Sequence, residues 1–372
     1  MRILILSVTA GQGHSRTAKG IAGIAQSRGH ECKIVDTFEY VSPAMGELVD
    51  EGYRLSIAFT PKAFGRAFRS FERAEQEYAA VLRAYKIVST RMSYELEEVY
   101  QQFQPDAVVC TMSFAAQIAT AIYERGVCRA PRMGIVTDYT LHPFWVGTNL
   151  DMLVSPSEQL TESFVAKGID PRIIKPVGIP ISLDFAKHID RQAACDELGI
   201  ENMPTLLLMG GSMGHGDIAK AIESMDKSAS PFQILAVCGS NMRMQHRLEK
   251  MQTRKPMRVY GFTDKIHVMM SASDMIVTKP GGLTVSEAVA KKLPMVLINP
   301  IPGQEDRNMD FLTNHGMAMR ANATLPVGEV VGQLMLSQAR RRLMSQAQEA
   351  FGKPNATLDV CQLLEEMAEG RA

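Results

Sequence analysis

The sequence predicts an α/β protein of two Rossmann-like, doubly wound parallel-sheet domains facing an interdomain cleft. Three observations predict it. A chain of 372 residues, 46% of them hydrophobic, can bury more core than one ordinary α/β domain requires. Short apolar runs alternate with segments of helical periodicity, the pattern of parallel sheets covered by helices. An apolar strand followed by a glycine-rich loop and a helix occurs near the start of each half, a weak internal duplication.

In the first half, residues 2–8 (RILILSV) read as a buried parallel-type strand. Thr9-Ala10-Gly11-Gln12-Gly13-His14 follows, and then a helix with Ala18, Ile21, Ala22 and Ala25 on one face. Further strands are predicted at residues 32–35, 107–110, 132–137 and 152–155. Gly11 and Gly13 after a first strand, with Asp36 after the second, imitate a dinucleotide fingerprint, but Arg16 occupies the third glycine position and would crowd helix-to-strand packing. The loop therefore reads as one that brings a polar side chain into the cleft. His14, at a helix start, is a general-base candidate, because its neutral form can take a proton from an alcohol near neutral pH. A histidine that only caps or hydrogen-bonds its loop has the same sequence appearance. If residues from Lys62 onward are helical, Phe64, Phe68 and Phe71 share one face and Lys62, Arg66, Arg69 and Arg73 the opposite one. That pattern predicts an interfacial helix with aromatic rings in the acyl boundary and cations on anionic headgroups; an ordinary helix burying three phenylalanines is the alternative.

Gly178-Ile179-Pro180-Ile181 interrupts the alternation and reads as the linker. The predicted organisation is an N-terminal domain over residues 1–178 that carries the candidate membrane helix, a second domain over 179–350, and a closing segment over 351–372 containing a helix at 359–367. The second half opens with residues 205–209 (TLLLM) and the loop Gly210-Gly211-Ser212-Met213-Gly214. Strands are predicted at 233–238, 258–259, 274–278 and 295–298.

Residues 278–308 (TKPGGLTVSEAVAKKLPMVLINPIPGQEDRN) are the most informative stretch. Gly281 and Gly282 lie at a strand-to-helix junction, where missing Cβ atoms let a phosphate approach the backbone and the helix start offers N–H groups with partial positive charge. Glu287, three residues past Thr284, is placed to accept hydrogen bonds from a ribose diol. The loop Pro302-Gly303-Gln304-Glu305 sets an amide beside a carboxylate, suited to vicinal hydroxyls of a hexose. Each device has a structural counterpart: a tight turn, a capping box of Thr284 with Glu287, a solvated loop. Their order within one unit favours a sugar-nucleotide site.

Forty basic residues balance forty acidic ones, so nothing global points to nucleic acid. Six scattered cysteines without CxxC spacing argue against a metal site or disulfide framework and for a reducing compartment. No signal-peptide pattern and no run of about 18 apolar residues occurs. The expected location is the cytoplasm, with peripheral contact at the inner membrane face.

The set TAGQGH, TDYTLHPFW (137–145), VGIP (177–180), TKPGGLTVSEA and PGQE resembles the diacylglycerol glycosyltransferases: bacterial processive diacylglycerol glucosyltransferases and plant-type monogalactosyldiacylglycerol synthases, in glycosyltransferase family 28 with a GT-B fold. The resemblance spans nearly the whole chain, and it implies that residues 1–178 form the acceptor- and membrane-binding domain, that 179–350 form the UDP-sugar domain, and that the helix in 351–372 packs back on the first. It implies that Gly281, Gly282, Leu283 and Thr284, with Gly210, Gly211, Ser212, Met213 and Gly214, hold the diphosphate of a UDP-sugar. By the same resemblance Glu287 holds the ribose, Gly239, Phe262 and Thr263 lie on the nucleotide side, and Gly303, Gln304 and Glu305 lie at the sugar hydroxyls. His14 matches the residue proposed as base, beside Gly13; Asp138, His142 and Trp145 match an acceptor-side loop. In that loop Asp138 would support the base, His142 is a second base candidate and Trp145 a lipid contact, or all three rigidify it.

The implied reaction is an inverting transfer of glucose or galactose from a UDP-sugar to the hydroxyl of 1,2-diacylglycerol. It needs a base and an anion cradle. No Asp-x-Asp occurs in the chain, so the expectation is metal-independent transfer with no cofactor. A non-catalytic UDP-sugar sensor at the membrane and a transferase for another lipid-linked acceptor are the alternatives.

Overall fold

The structure, a computed structural model, describes residues 1–8, 12–41, 75–210 and 218–370. The segment carrying Phe64, Arg66, Phe68, Arg69 and Phe71 lies outside the described residues, as do Gly11, Gly211, Ser212, Met213 and Gly214.

The chain divides into two units, one of residues 1–182, 302–304 and 355–372, the other of 183–301 and 305–354. The first runs β1 (Arg2–Ser7), α1 (Gln12–Ser27), β2 (Glu31–Asp36), α2 (Thr37–Val41), α3 (Glu75–Phe103), β3 (Ala107–Cys110), α4 (Ser113–Glu124), β4 (Arg132–Ile135), β5 (Met152–Val154), α5 (Thr161–Ala166) and β6 (Ile174–Lys175). Its sheet is wholly parallel in the order β2-β1-β3-β4-β5-β6. The second unit runs α6 (Arg191–Leu198), β7 (Thr205–Met209), α7 (Ile218–Asp226), β8 (Gln233–Val237), α8 (Met242–Glu249), β9 (Met257–Tyr260), α9 (Ile266–Ser271), β10 (Met275–Thr278), α10 (Gly282–Ala290), β11 (Met295–Leu297), α11 (Gln304–Asn314), β12 (Ala318–Arg320), α12 (Val327–Leu336) and α13 (Gln338–Phe351). Its parallel sheet has the order β12-β11-β10-β7-β8-β9. Strand order reverses between β1 and β3 in one sheet and between β7 and β10 in the other, and the crevice at the carboxyl ends beside such a reversal is where doubly wound sheets hold ligands.

Every residue of β3, β7, β8 and β10 is buried, as strands covered on both faces require. Strands β6 and β12, of two and three residues at the sheet edges, carry too few side chains to show a period, and the sequence pattern reveals neither.

The alanine-rich face of α1 packs as predicted: Ala18, Ile21, Ala22 and Ala25 join Ile3, Ile5, Val109 and Met133 in one apolar core. The final helix, α14 (Ala356–Ala368), enters that same core with Val360, Cys361, Leu364 and Met367. Burying a side chain of Leu or Val size contributes roughly 1.5–3 kcal/mol, so four such residues hold the C-terminal helix on the first unit. The unit boundary falls after Ser182, four residues beyond the predicted one. Thr17 Oγ1 donates to the Pro180 carbonyl (3.4 Å) and Thr357 Oγ1 to that of Ile181 (2.5 Å), so the Gly178-Ile181 stretch belongs to the first unit. The return to that unit starts at Asn355 rather than 351, because α13 extends to Phe351. Among the described residues no helix is long and apolar enough to cross a membrane.

Candidate functional site

In the first unit the site is built around the β1/β3 reversal. His14 is in the first turn of α1 and half-buried, and its Nδ1 lies 2.7 Å from the carbonyl oxygen of Thr111, the residue after β3. A carbonyl only accepts, so Nδ1 carries the proton and Nε2 is the basic nitrogen. Thr137, two residues past β4, sets Oγ1 3.5 Å from the same Nδ1. Burial lowers the His14 pKa below the ordinary histidine value; the Asp138 carboxylate and the Thr111 carbonyl oppose that lowering without cancelling it. The arrangement holds a neutral imidazole in one tautomer at the carboxyl ends of three strands. Asp36, which imitates a dinucleotide ligand in the sequence, accepts from the backbone N–H groups of Phe38 (3.0 Å) and Glu39 (3.1 Å) and starts α2.

The following loop is a rigid bracket. His142 Nδ1 accepts from the Phe144 N–H (3.2 Å) and caps a single 3-10 turn, Pro143–Trp145. Its pKa is pushed down to about 4, chiefly by burial and further by the Lys167 cation, so its ring is neutral and its Nδ1 serves the turn. Gln117 donates to the carbonyls of Phe144 and Val146, and Lys167 Nζ to that of Leu141. The acceptor-contact reading of Trp145 is corrected: its side chain is 4% exposed and packs over Gly134. A Cβ on Gly134 would lie 2.7 Å from the indole Cζ3, so glycine is what admits the ring to the core.

In the second unit β10 runs into the glycine loop. Gly281 has extended backbone (φ −70°, ψ 130°) and is the N-cap, so α10 begins at Gly282, earlier than the predicted Thr284. Thr284 is therefore the third helical residue, and the capping-box reading with Glu287 does not hold. The N–H groups of Gly282, Leu283 and Thr284 occupy the first turn, where an α-helix makes no intrahelical bond with them. Glu287 is 1% exposed in the second turn. Gly210 follows β7 directly, on the other side of the reversal, and is buried. Gly239 (φ 57°) follows β8, and Phe262, 69% exposed, and Thr263 follow β9. All of these stand at the carboxyl edge of the sheet.

The Gln304–Glu305 pair corrects another expectation. It opens α11 rather than lying in a loop, after Gly303 at φ 108°. Glu305 is buried: its Oε1 takes an ion pair from Lys279 Nζ at 2.6 Å, and its Oε2 accepts from the Ile301 N–H at 2.8 Å. Asn308 Nδ2 donates to the Pro280 carbonyl (2.9 Å), bracing the peptide that leads into the glycines.

Known proteins decide the family. The family model for monogalactosyldiacylglycerol (MGDG) synthase matches residues 14–181, and that for the glycosyltransferase family 28 C-terminal domain matches residues 205–357. The chain belongs to the diacylglycerol glycosyltransferase family. Similar to it are the processive diacylglycerol beta-glucosyltransferase of Bacillus pumilus, 27% identical over 93% of this chain and 89% of the relative, and the probable chloroplastic monogalactosyldiacylglycerol synthase of Nicotiana tabacum, 25% identical over 100% of this chain and 71% of the relative. The crystal structure of Acinetobacter baumannii MurG superposes with a TM-score of 0.61 at 17% identity, covering 98% of this chain and 99% of that one, which shows the shared GT-B fold.

As a family 28 glycosyltransferase the chain carries three functional neighbours that sequence reasoning missed: Thr111, which sets the His14 tautomer, and Lys279 and Asn308, which frame the glycine loop. Lys279 had a visible signal, a cation two residues before Gly281. Thr111 and Asn308 had none, since nothing local marks a backbone carbonyl or an asparagine as the partner of a distant loop.

Proposed function

We propose that this glycosyltransferase moves a hexose from a UDP-sugar to the free hydroxyl of 1,2-diacylglycerol, with inversion and without a metal, at an anionic membrane surface. The observation that carries the reading is the His14 tautomer: Nδ1–H held on the Thr111 carbonyl makes Nε2 the proton acceptor. As the acceptor oxygen bonds to the anomeric carbon, its proton passes to His14 Nε2. The bond from that carbon to the diphosphate oxygen breaks, and UDP leaves with the electron pair. Glycine backbone at the start of α10 supplies N–H groups for the departing diphosphate. Glu287 is assigned to the ribose and the exposed ring of Phe262 to the base. The related proteins named diacylglycerol glucosyltransferase and monogalactosyldiacylglycerol synthase support the acceptor, and the former favour glucose. The absence of Asp-x-Asp supports metal independence. His142 is not the proposed base, because its Nδ1 caps a turn and its pKa near 4 makes it a weak one.

The test is incubation of the purified protein with diacylglycerol in lipid micelles and UDP-glucose or UDP-galactose, with chelator, and mass spectrometry of the lipids. The reading predicts hexosyl-diacylglycerol of inverted anomeric configuration from one donor. UDP binding without any hexosyl-lipid would favour the sensor reading, and product only on another lipid alcohol would reassign the acceptor.

A further inference from the structure

We infer that Lys279 is a catalytic residue on the donor side, its ammonium oriented by Glu305 to contact the diphosphate and stabilise the charge that develops on it as the sugar departs. The inference rests on the reading that the glycine loop holds a nucleotide diphosphate. Lys279 is the first residue after β10, beside the β7/β10 reversal, two residues before the N-cap glycine. Its side chain is 17% exposed, and its Cε lies 4.0 Å from the position a Gly281 Cβ would take, so the lysine stem runs beside the glycine loop. Glu305, 9% exposed, holds the ammonium at 2.6 Å and is itself fixed by the Ile301 N–H. An ammonium has three N–H groups, and the bond to Glu305 uses one of them.

A purely structural role explains the pair poorly. Buried ion pairs contribute little net stability compared with apolar side chains of the same volume, so stability alone gives no reason to keep a lysine and a glutamate beside a glycine loop. A cation held in a fixed place and partly removed from water is instead what a transition state with growing negative charge on phosphate requires. Lys279 supplies full positive charge where the α10 amides supply only partial charge, and Glu305 prevents the lysine from swinging into solvent. Glu305 is by this account a positioning residue.

The experiment compares UDP with uridine on the full-length protein by titration calorimetry, for wild type, Lys279→Met, Lys279→Arg and Glu305→Gln, with thermal melts to verify folding. In Lys279→Met, UDP affinity is expected to fall about 30-fold or more while uridine affinity stays within about twofold. Where transfer is measurable, kcat is expected to fall by about 10²-fold, with Lys279→Arg recovering part of both losses. In Glu305→Gln, kcat is expected to fall with a smaller loss of UDP affinity. Equal losses for UDP and uridine, or unchanged UDP affinity in a folded Lys279→Met protein, would overturn the assignment. A wild type that binds UDP but transfers nothing defeats the transferase reading alone, because the UDP-to-uridine comparison still decides Lys279. A wild type that binds no UDP defeats both.

Discussion

His14 and Lys279 each stand beside the reversal of strand order in a parallel sheet, one in each unit, yet the partners that hold them differ: a backbone carbonyl for the one, a carboxylate for the other. Around His14 burial outweighs the Asp138 carboxylate and leaves a neutral ring with a single tautomer. Around Lys279 a buried carboxylate at 2.6 Å holds the ammonium beside the amide donors that start α10. On the proposed reading, the same backbone geometry provides a place for a proton acceptor in one unit and for an anion in the other. A doubly wound sheet supplies location, and the side chains at its carboxyl edge decide what is held there.

The largest expected effect separates those two roles. His14→Ala should lower the transfer rate by about 10²–10⁴-fold, the usual range for a general base, with UDP affinity unchanged by calorimetry. A parallel loss of UDP binding would break the division between base and anion cradle. Next comes the frame of the base: Trp145→Ala should destabilise the protein by about 3–5 kcal/mol in urea unfolding, as expected of a buried aromatic ring over Gly134. A lipid-contact tryptophan would instead leave stability nearly intact and weaken vesicle binding.

His142 gives a pH window. Its folded pKa is about 4 against an ordinary 6.5, so as pH falls below 6.5 the unfolded chain takes up the proton first and stability declines until about pH 4. The loss is up to about 3 kcal/mol, each tenfold difference in proton affinity between the folded and unfolded chain amounting to about 1.36 kcal/mol. Melts of His142→Asn, whose amide oxygen can still accept from the Phe144 N–H, should lack that component. A smaller effect tests the cradle: Gly281→Ala adds a Cβ whose nearest neighbour is Glu305 Oε1 at 3.5 Å, so stability should fall by no more than about 1 kcal/mol, the cost of alanine at an N-cap. UDP affinity should nevertheless fall about tenfold, because the methyl group lies where phosphate must approach. The smallest effect concerns Asp138. The acidic limb of kcat/KM should lie below 6.5, and Asp138→Asn should move it lower still, since Asp138 raises the His14 pKa.

Much of this was legible from local patterns. Ten of the strands, the alanine-rich face of α1, the strand-to-helix placement of Gly281 and Gly282, and the helix that ends the chain each depend on residues close together in sequence, where periodicity and missing Cβ atoms are direct signals. Where the expectation differed from the structure, the cause was backbone capping or packing. The start of α10 was displaced because glycine tolerates the N-cap position, and Trp145 read as a lipid contact through the resemblance because nothing in its local sequence marks the glycine beneath it.

The sequence by itself determined two α/β halves, a histidine at one helix start and a glycine loop at another. The tertiary structure alone decided which strands adjoin, and with that the chemistry. Thr111 meets His14 across 97 residues because β3 pairs with β1, and Glu305 reaches Lys279 across 26 because α11 returns to the end of β10. It also decided that His142 is neutral and Trp145 is core. Tautomer, charge state and burial are properties of the space around a side chain, and that space is filled by segments remote in the chain.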